Sequence, residues 1–230
     1  MKFLALFLGL ISIVYAEAYT VYTEQMPPYN FVDEGKVVGS STELLKALLK
    51  KNGDTIKGQI QIGPWAKGYH AVLSNKNTLI YSMARTKDRE SLFKWVGPID
   101  TLGIGLLAKK SKHVVIKDRE SLHHYTIAAM YETAAESLLL SNGVRAEELD
   151  RFTNIYTQIR KLQEGRIDAV AFSIESLKAL ILEVGLDPDE YEVVYMLKQS
   201  ELYFAFNKDT PEKKIRSLND NLKLLKQENN

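Results

Sequence analysis

Apolar positions along the chain switch repeatedly between the two-residue period of a strand and the three-to-four-residue period of a helix. Ala18-Tyr19-Thr20-Val21-Tyr22-Thr23 is β-branched and aromatic and predicts a first strand. The paired prolines of Glu24-Gln25-Met26-Pro27-Pro28-Tyr29 then force a loop. Ser40 and Glu43 have the spacing of a capping box, opening a helix with Leu44, Leu45, Leu48 and Leu49 on one face and Gly53 at its end. Ile60-Gln61-Ile62 alternates as a strand, and Gly63-Pro64-Trp65 breaks it before a helix through Tyr69, Val72 and Leu73. Thr78-Leu79-Ile80-Tyr81 reads as a buried strand; Thr86, Asp88 and Glu90 after it read as a helix start. This order predicts an α/β unit with a mostly parallel sheet.

Gly103-Ile104-Gly105-Leu106-Leu107-Ala108 predicts a strand leaving that unit, and the alternation then restarts. Residues 125–130 form a strand, and Thr133 with Glu136 caps a helix that stops at Gly143. Another helix runs through Ile159 and Leu162 to Gly165; residues 167–172 form a buried strand, and Ser173 caps the helix after it. Strands follow at 191–197 and 202–206. Pro211 opens a last helix carrying Ile215, Leu218, Leu222 and Leu225. If that helix packs on the first unit, the chain crosses between two lobes twice, which makes a hinge and a cleft.

Composition narrows the setting. Residues 1–16 carry one early lysine, an apolar run and small residues, the pattern of a secretory signal cut after Ala16 or Ala18. Without Lys2 the chain has 29 basic residues (30 less one) against 29 acidic, so no basic excess suits nucleic acid or a membrane surface. No later segment has the roughly 20 apolar residues of a membrane span. The count of 0 Cys excludes disulfides and lipid attachment through cysteine. His70, His113, His123 and His124 lack metal-ligand spacing, so neither metal nor cofactor is expected. The polar tail Lys226-Gln227-Glu228-Asn229-Asn230 reads as disordered.

The candidate chemistry centres on Ser82 through Glu90, where two arginines follow a strand end. Strand ends of open α/β sheets are where small ligands dock, and an Arg fork matches a carboxylate. Arg89 is the candidate grip. Arg85 either takes a second acceptor or is satisfied by an internal carboxylate such as Glu24, which itself either meets a ligand cation or neutralises the arginines. Tyr29 and Trp65 either stack on a ligand or plug the cleft wall. Ser173 is first a helix cap, and Asp168 pairs with Arg166 or with backbone.

In order and spacing, Pro27-Pro28-Tyr29, Gly39, Pro64-Trp65-Ala66-Lys67, Ser82 through Arg89, Thr133, Gly165-Arg166-Ile167-Asp168-Ala169-Val170 and Tyr203 to Phe206 resemble the periplasmic solute-binding proteins of family 3, the amino-acid-binding type. The resemblance implies a two-lobed type II periplasmic-binding-protein fold, with residues 17–105 in lobe 1, 106–199 in lobe 2 and 200–230 returning to lobe 1. It implies a periplasmic, non-enzymatic monomer that closes on a small anionic or zwitterionic solute and delivers it to an inner-membrane ABC transporter permease. Arg89 would grip the ligand carboxylate, Ser82 line the same wall, Tyr29 lie on the aromatic loop and Thr133 donate from lobe 2. Ser173 stands where amino-acid binders carry an Asp for the ligand ammonium, and a hydroxyl supplies no counter-charge. Arg85 is an added cation, which points to an extra anionic group on the ligand. Two alternatives share the fold: a lyase or dehydratase using Glu24, Glu132 or Glu175, and a ligand-sensing partner of a membrane receptor.

Overall fold

The computed structural model describes residues 16–228. Of the leader 1–16, all but Ala16 lies outside them, as do Asn229 and Asn230 of the tail. The chain opens with β1 (Ala18–Thr23), a small hairpin of β2 (Phe31–Asp33) and β3 (Lys36–Val38), and α1 (Ser40–Lys51). Short strands β4 (Thr55–Ile56) and β5 (Gln61–Ile62) precede α2 (Trp65–Ser74) and β6 (Thr78–Ala84). The long strand β7 (Phe93–Lys109) leads to β8 (Ile127–Met130), α3 (Ala134–Ser141), β9 (Leu149–Phe152), α4 (Ile155–Gln163), β10 (Ala169–Ser173) and α5 (Ile174–Glu183). A second long strand, β11 (Tyr191–Asn207), and α6 (Glu212–Glu228) complete it.

Among the described residues the main sheet runs β4-β1-β6-β11-β7-β10-β8-β9, with β5 also on β1. Around β1 the pairs are parallel, as they are among β10, β8 and β9. β7 and β11 run antiparallel to each other and through both groups. The seven residues of β6 are all buried, as an internal strand covered on both faces requires. Leu45, Leu48 and Leu49 of α1 are buried as their spacing predicts. The two strands expected at 191–197 and 202–206 are one, β11, whose register shifts at three places against β7; such bulges bend a ribbon without ending it. The last helix packs on the first group: Asn219 Nδ2 donates to Trp95 O at 3.2 Å and Lys51 pairs with Glu228 at 2.7 Å. Chain start and end therefore share one half.

Three expectations fail locally. Ser40 does not cap α1. Gly39 does, at φ 114, because the loop carbonyls of Pro28 and Tyr29 accept the Ser40 and Ser41 amides at 3.1 and 3.0 Å. A Cβ at Gly39 would lie 2.5 Å from Tyr29 O, so only glycine lets the loop come that close. No helix starts at Thr86. With β7 beginning at Phe93 the chain makes two successive turns, Arg89 N to Thr86 O and Leu92 N to Arg89 O, at 3.1 and 3.0 Å. Lys226 through Glu228 are helical, tied down by Lys226 Nζ on Pro98 O.

The hydrogen bonds that hold α6 include a buried ion pair. Lys214 Nζ lies 2.7 Å from Asp54 Oδ1, which also accepts from Glu17 N at 2.8 Å, and both side chains are almost fully buried.

Candidate functional site

Between the β1 group and the β8 group lies a small cavity, where the carboxyl ends of β1, β6 and β10 and the N-terminus of α3 converge. Its space is about 50 Å³ counted at the centres of water-sized spheres, against about 10–15 Å³ for one water on that measure. Leu102 and Ile104 of β7 and Leu202 of β11 form an apolar floor. Glu24, Trp65, Ser82 and Arg89 line it from one half, Thr133 and Ser173 from the other. Six of the eight residues singled out from the sequence therefore meet.

Each reaches the cavity for a local reason. Ser82 sits at φ 58 where β6 loses register against β11, a bulge that turns its hydroxyl inward; the Oγ is buried and has no partner. Arg89 is held by the turn, not by a helix. Its guanidinium is buried, donates to Ala84 O at 3.3 Å and Glu132 O at 2.8 Å, and lies over the Trp65 and Tyr69 rings at 5.6 and 5.4 Å. Burial holds its pKa below the ordinary arginine value. The helix N-terminus at the site is that of α3, from the opposite half. Thr133 caps it, accepting from Glu136 N and donating to Met130 O, which leaves the amides of Ala134 and Ala135 beside the cavity. Ser173 caps α5, accepting from Ser176 N at 3.3 Å, and also borders the cavity.

Glu24 follows β1 directly and is 6% exposed, its Oε2 buried and unpartnered. Desolvation pushes its pKa up to about 8, and the charge of Arg89 offsets that only in part. Below that value Glu24 is neutral, and Arg89 is the one charged side chain among those lining the cavity. The folded pKa stands above the ordinary carboxyl value, so this stability is fully present below about 4.5 and is lost as pH rises through about 8. The thermal midpoint with no solute added is therefore expected to fall between pH 5 and 8, by on the order of a few kcal/mol of stability. Glu24→Gln is expected to flatten that fall. A parent and variant with parallel midpoint-against-pH curves would refute the shift.

Two expected residues are elsewhere. Arg85 points away, pairing with Glu90 and packed between the Trp95 and Tyr203 rings at 5.5 and 5.4 Å. Its carboxylate partner is thus Glu90 rather than Glu24, and the structure brings no second cation to the cavity. Tyr29 O–H donates to Thr101 O at 3.0 Å, tying the proline loop to β7. Asp168 takes its backbone partner, accepting from Thr126 N at 2.8 Å, while Arg166 pairs with Glu164. Trp65 is a wall: its Nε1 donates to Glu132 O at 3.0 Å, and its far side borders an open groove with Gln25, Asn154 and Tyr156. Glu132 was expected only as a possible acid. Its role as a backbone acceptor has no sequence signal, because any residue has a carbonyl.

Several known proteins resemble this chain. One is the "Probable amino-acid-binding protein YxeM" of Bacillus subtilis (strain 168), 24% identical over 216 residues, covering 84% of this chain and 72% of that protein. An ancestral arginine-binding protein bound to arginine superposes with TM-score 0.77 at 23% identity, covering 92% and 93% of the two chains. A histidine kinase sensor domain with similarity to periplasmic binding proteins superposes with TM-score 0.79 at 17% identity, covering 92% and 91%. At such identities the structures establish a shared periplasmic-binding-protein fold. The model of the bacterial extracellular solute-binding proteins, family 3, matches residues 19–229, nearly the whole chain, and the protein belongs to that family.

Proposed function

We propose that this protein captures a small carboxylate-bearing solute outside the cytoplasmic membrane and delivers it to an ABC transporter, without chemically changing it. The observation that carries this reading is the charge balance of the cavity. Arg89 is its one cation, the Ala134 and Ala135 amides at the start of α3 border the same space, and burial raises the pKa of Glu24, which favours its uncharged form. A carboxylate is the group such a site complements. Residues 17–105 with 200–230 act as one lobe and 106–199 as the other, closing over the solute about β7 and β11. Residues 1–16 act as a cleaved secretory signal, leaving the protein free in the periplasm. Among the described residues no helix is long and apolar enough to cross a membrane.

A neutral Glu24 also bears on the solute's other end. Its unpartnered Oε2 and the Ser82 hydroxyl offer hydrogen bonds without a fixed negative charge. A zwitterion would draw the proton off Glu24, whereas an organic anion without an ammonium leaves it in place. The open groove beyond Trp65 gives room for a longer side chain.

Against the lyase alternative, Glu24 is the single carboxyl group lining the cavity, and no His, Cys or Lys lines it to serve as a second acid–base group. Sensing would share the same binding chemistry, and the likeness to a histidine kinase sensor domain keeps it as the second reading.

Native mass spectrometry for a co-purified small molecule, followed by a thermal-shift screen of amino acids, dicarboxylates and short peptides, tests the proposal. A true solute at 100 times its Kd is expected to add about 2.7 kcal/mol of stability. No stabilisation by any small carboxylate would overturn it.

A further inference from the structure

Glu132 is a non-glycine residue at φ 60, in the turn between β8 and α3. That left-handed conformation is unfavourable for a side chain with a Cβ, and an outlier of this kind needs a local reason. Here both backbone polar groups of the residue are engaged. Its N–H donates to Glu136 Oε2 at 2.7 Å, and that carboxylate is itself buried and paired with Arg151. Its carbonyl accepts from two side chains of the opposite half, Arg89 Nη2 at 2.8 Å and Trp65 Nε1 at 3.0 Å. Its carboxylate crosses to the same half, with Oε2 2.7 Å from His70 Nε2, an ion-pair distance outside the angles of a hydrogen bond.

We propose that Glu132 is the residue on which the two halves close, and that its carbonyl positions Arg89 for the solute. The left-handed turn aims the carbonyl across the cleft, where it holds one donor of the guanidinium fork and one wall of the cavity. The side chain adds a second clasp on the outer edge, since His70 and Arg89 belong to one half and Glu132 to the other. A closed cleft thus fixes Arg89 from both sides: Ala84 O on its own half and Glu132 O on the facing one. Specificity for closure is carried by a residue that does not line the cavity.

The inference rests on the reading that the halves hinge, and both can be measured with no ligand identified. The chain has 0 Cys, so Lys36→Cys and Gln163→Cys give two unique spin-label sites, exposed and in opposite halves. Distances between them are read by pulsed EPR with no solute added. Glu132→Gly keeps the carbonyl and relieves the backbone while removing the carboxylate. It is expected to lower the closed:open ratio about two- to fivefold, the range of a partly exposed ion pair, while leaving the thermal midpoint equal to or above the parent's. His70→Ala is expected to do the same, and the double variant no more than either single one. Glu132→Val, which resists the left-handed region, also turns the carbonyl away and is expected to shift the ratio more than about tenfold.

Distance distributions identical to the parent's in Glu132→Gly and His70→Ala, or fully additive effects, overturn the role of Glu132. If a solute that stabilises the protein in the thermal-shift screen shortens the distances while these variants leave them unchanged, the role of Glu132 falls alone. If neither solute nor variant moves them, the hinge reading falls with it.

Discussion

Arg89→Ala is expected to weaken solute binding by about 3–5 kcal/mol, two to three orders of magnitude or more in Kd. The effect is large because the guanidinium is buried and supplies the one positive charge lining the cavity. A carboxylate brought there without it would be desolvated and left with neutral donors, the α3 amides and the Ser82 hydroxyl. Arg89→Lys keeps the charge but loses the planar fork that binds Ala84 O, Glu132 O and a carboxylate together, and should fall between parent and alanine variant. Isothermal titration with the solute picked out by thermal shift measures both. An alanine variant that bound as tightly as the parent would remove Arg89 from the site.

Lys214→Ala is expected to destabilise the fold by a similar amount, about 3–5 kcal/mol, seen as a fall of roughly 6–20 °C in thermal midpoint for a chain of this size. Asp54 would remain buried with its carboxylate facing only the Glu17 amide and the Asn52 side chain. The penalty is mostly that of an unpaired buried charge. Replacing both partners with apolar residues of similar volume, Lys214→Met with Asp54→Leu, should therefore recover much of the loss. Denaturant unfolding distinguishes the cases. A loss below about 1 kcal/mol in Lys214→Ala would mean that the pair behaves as a solvated one.

The fold was largely legible because its signals are local. The strands at 18–23 and 78–81, the leucine face of α1 and the caps at Thr133 and Ser173 follow from residue type and period alone, and the structure contains all of them. The misreadings arise where a distant segment supplies what the sequence assigns to a neighbour. Ser40 and Glu43 have capping-box spacing, yet loop carbonyls reached the α1 amides first. Thr86, Asp88 and Glu90 have helix-start composition, but β7 begins too soon afterwards for a helix to form.

The same logic governs the site. Arg85 and Arg89 are four apart, and a helix would have placed both on one face. Two successive turns send them to opposite sides of β6 and β11, one to Glu90 and one to the cavity. The apolar floor of Leu102, Ile104 and Leu202 could not be read as a site, since buried strand residues look alike whether they face core or cavity. Glu132 acts through a φ angle and a carbonyl, neither of which residue type reveals.

The position of β11 sets the order in which the molecule can assemble. It lies between β6 and β7, so the half that is built first along the chain is missing an internal strand until residues 202–207 arrive. Until then β6 and β7 present unpaired edges, the exposure that makes incomplete sheets prone to pair with other chains. Its native contacts join residues more than a hundred positions apart, as between β6 and β11, which raises contact order and slows folding. The first half therefore cannot mature as an independent early domain. It waits on nearly the whole polypeptide, and the strand that completes its sheet is one of the two that tie it to its partner.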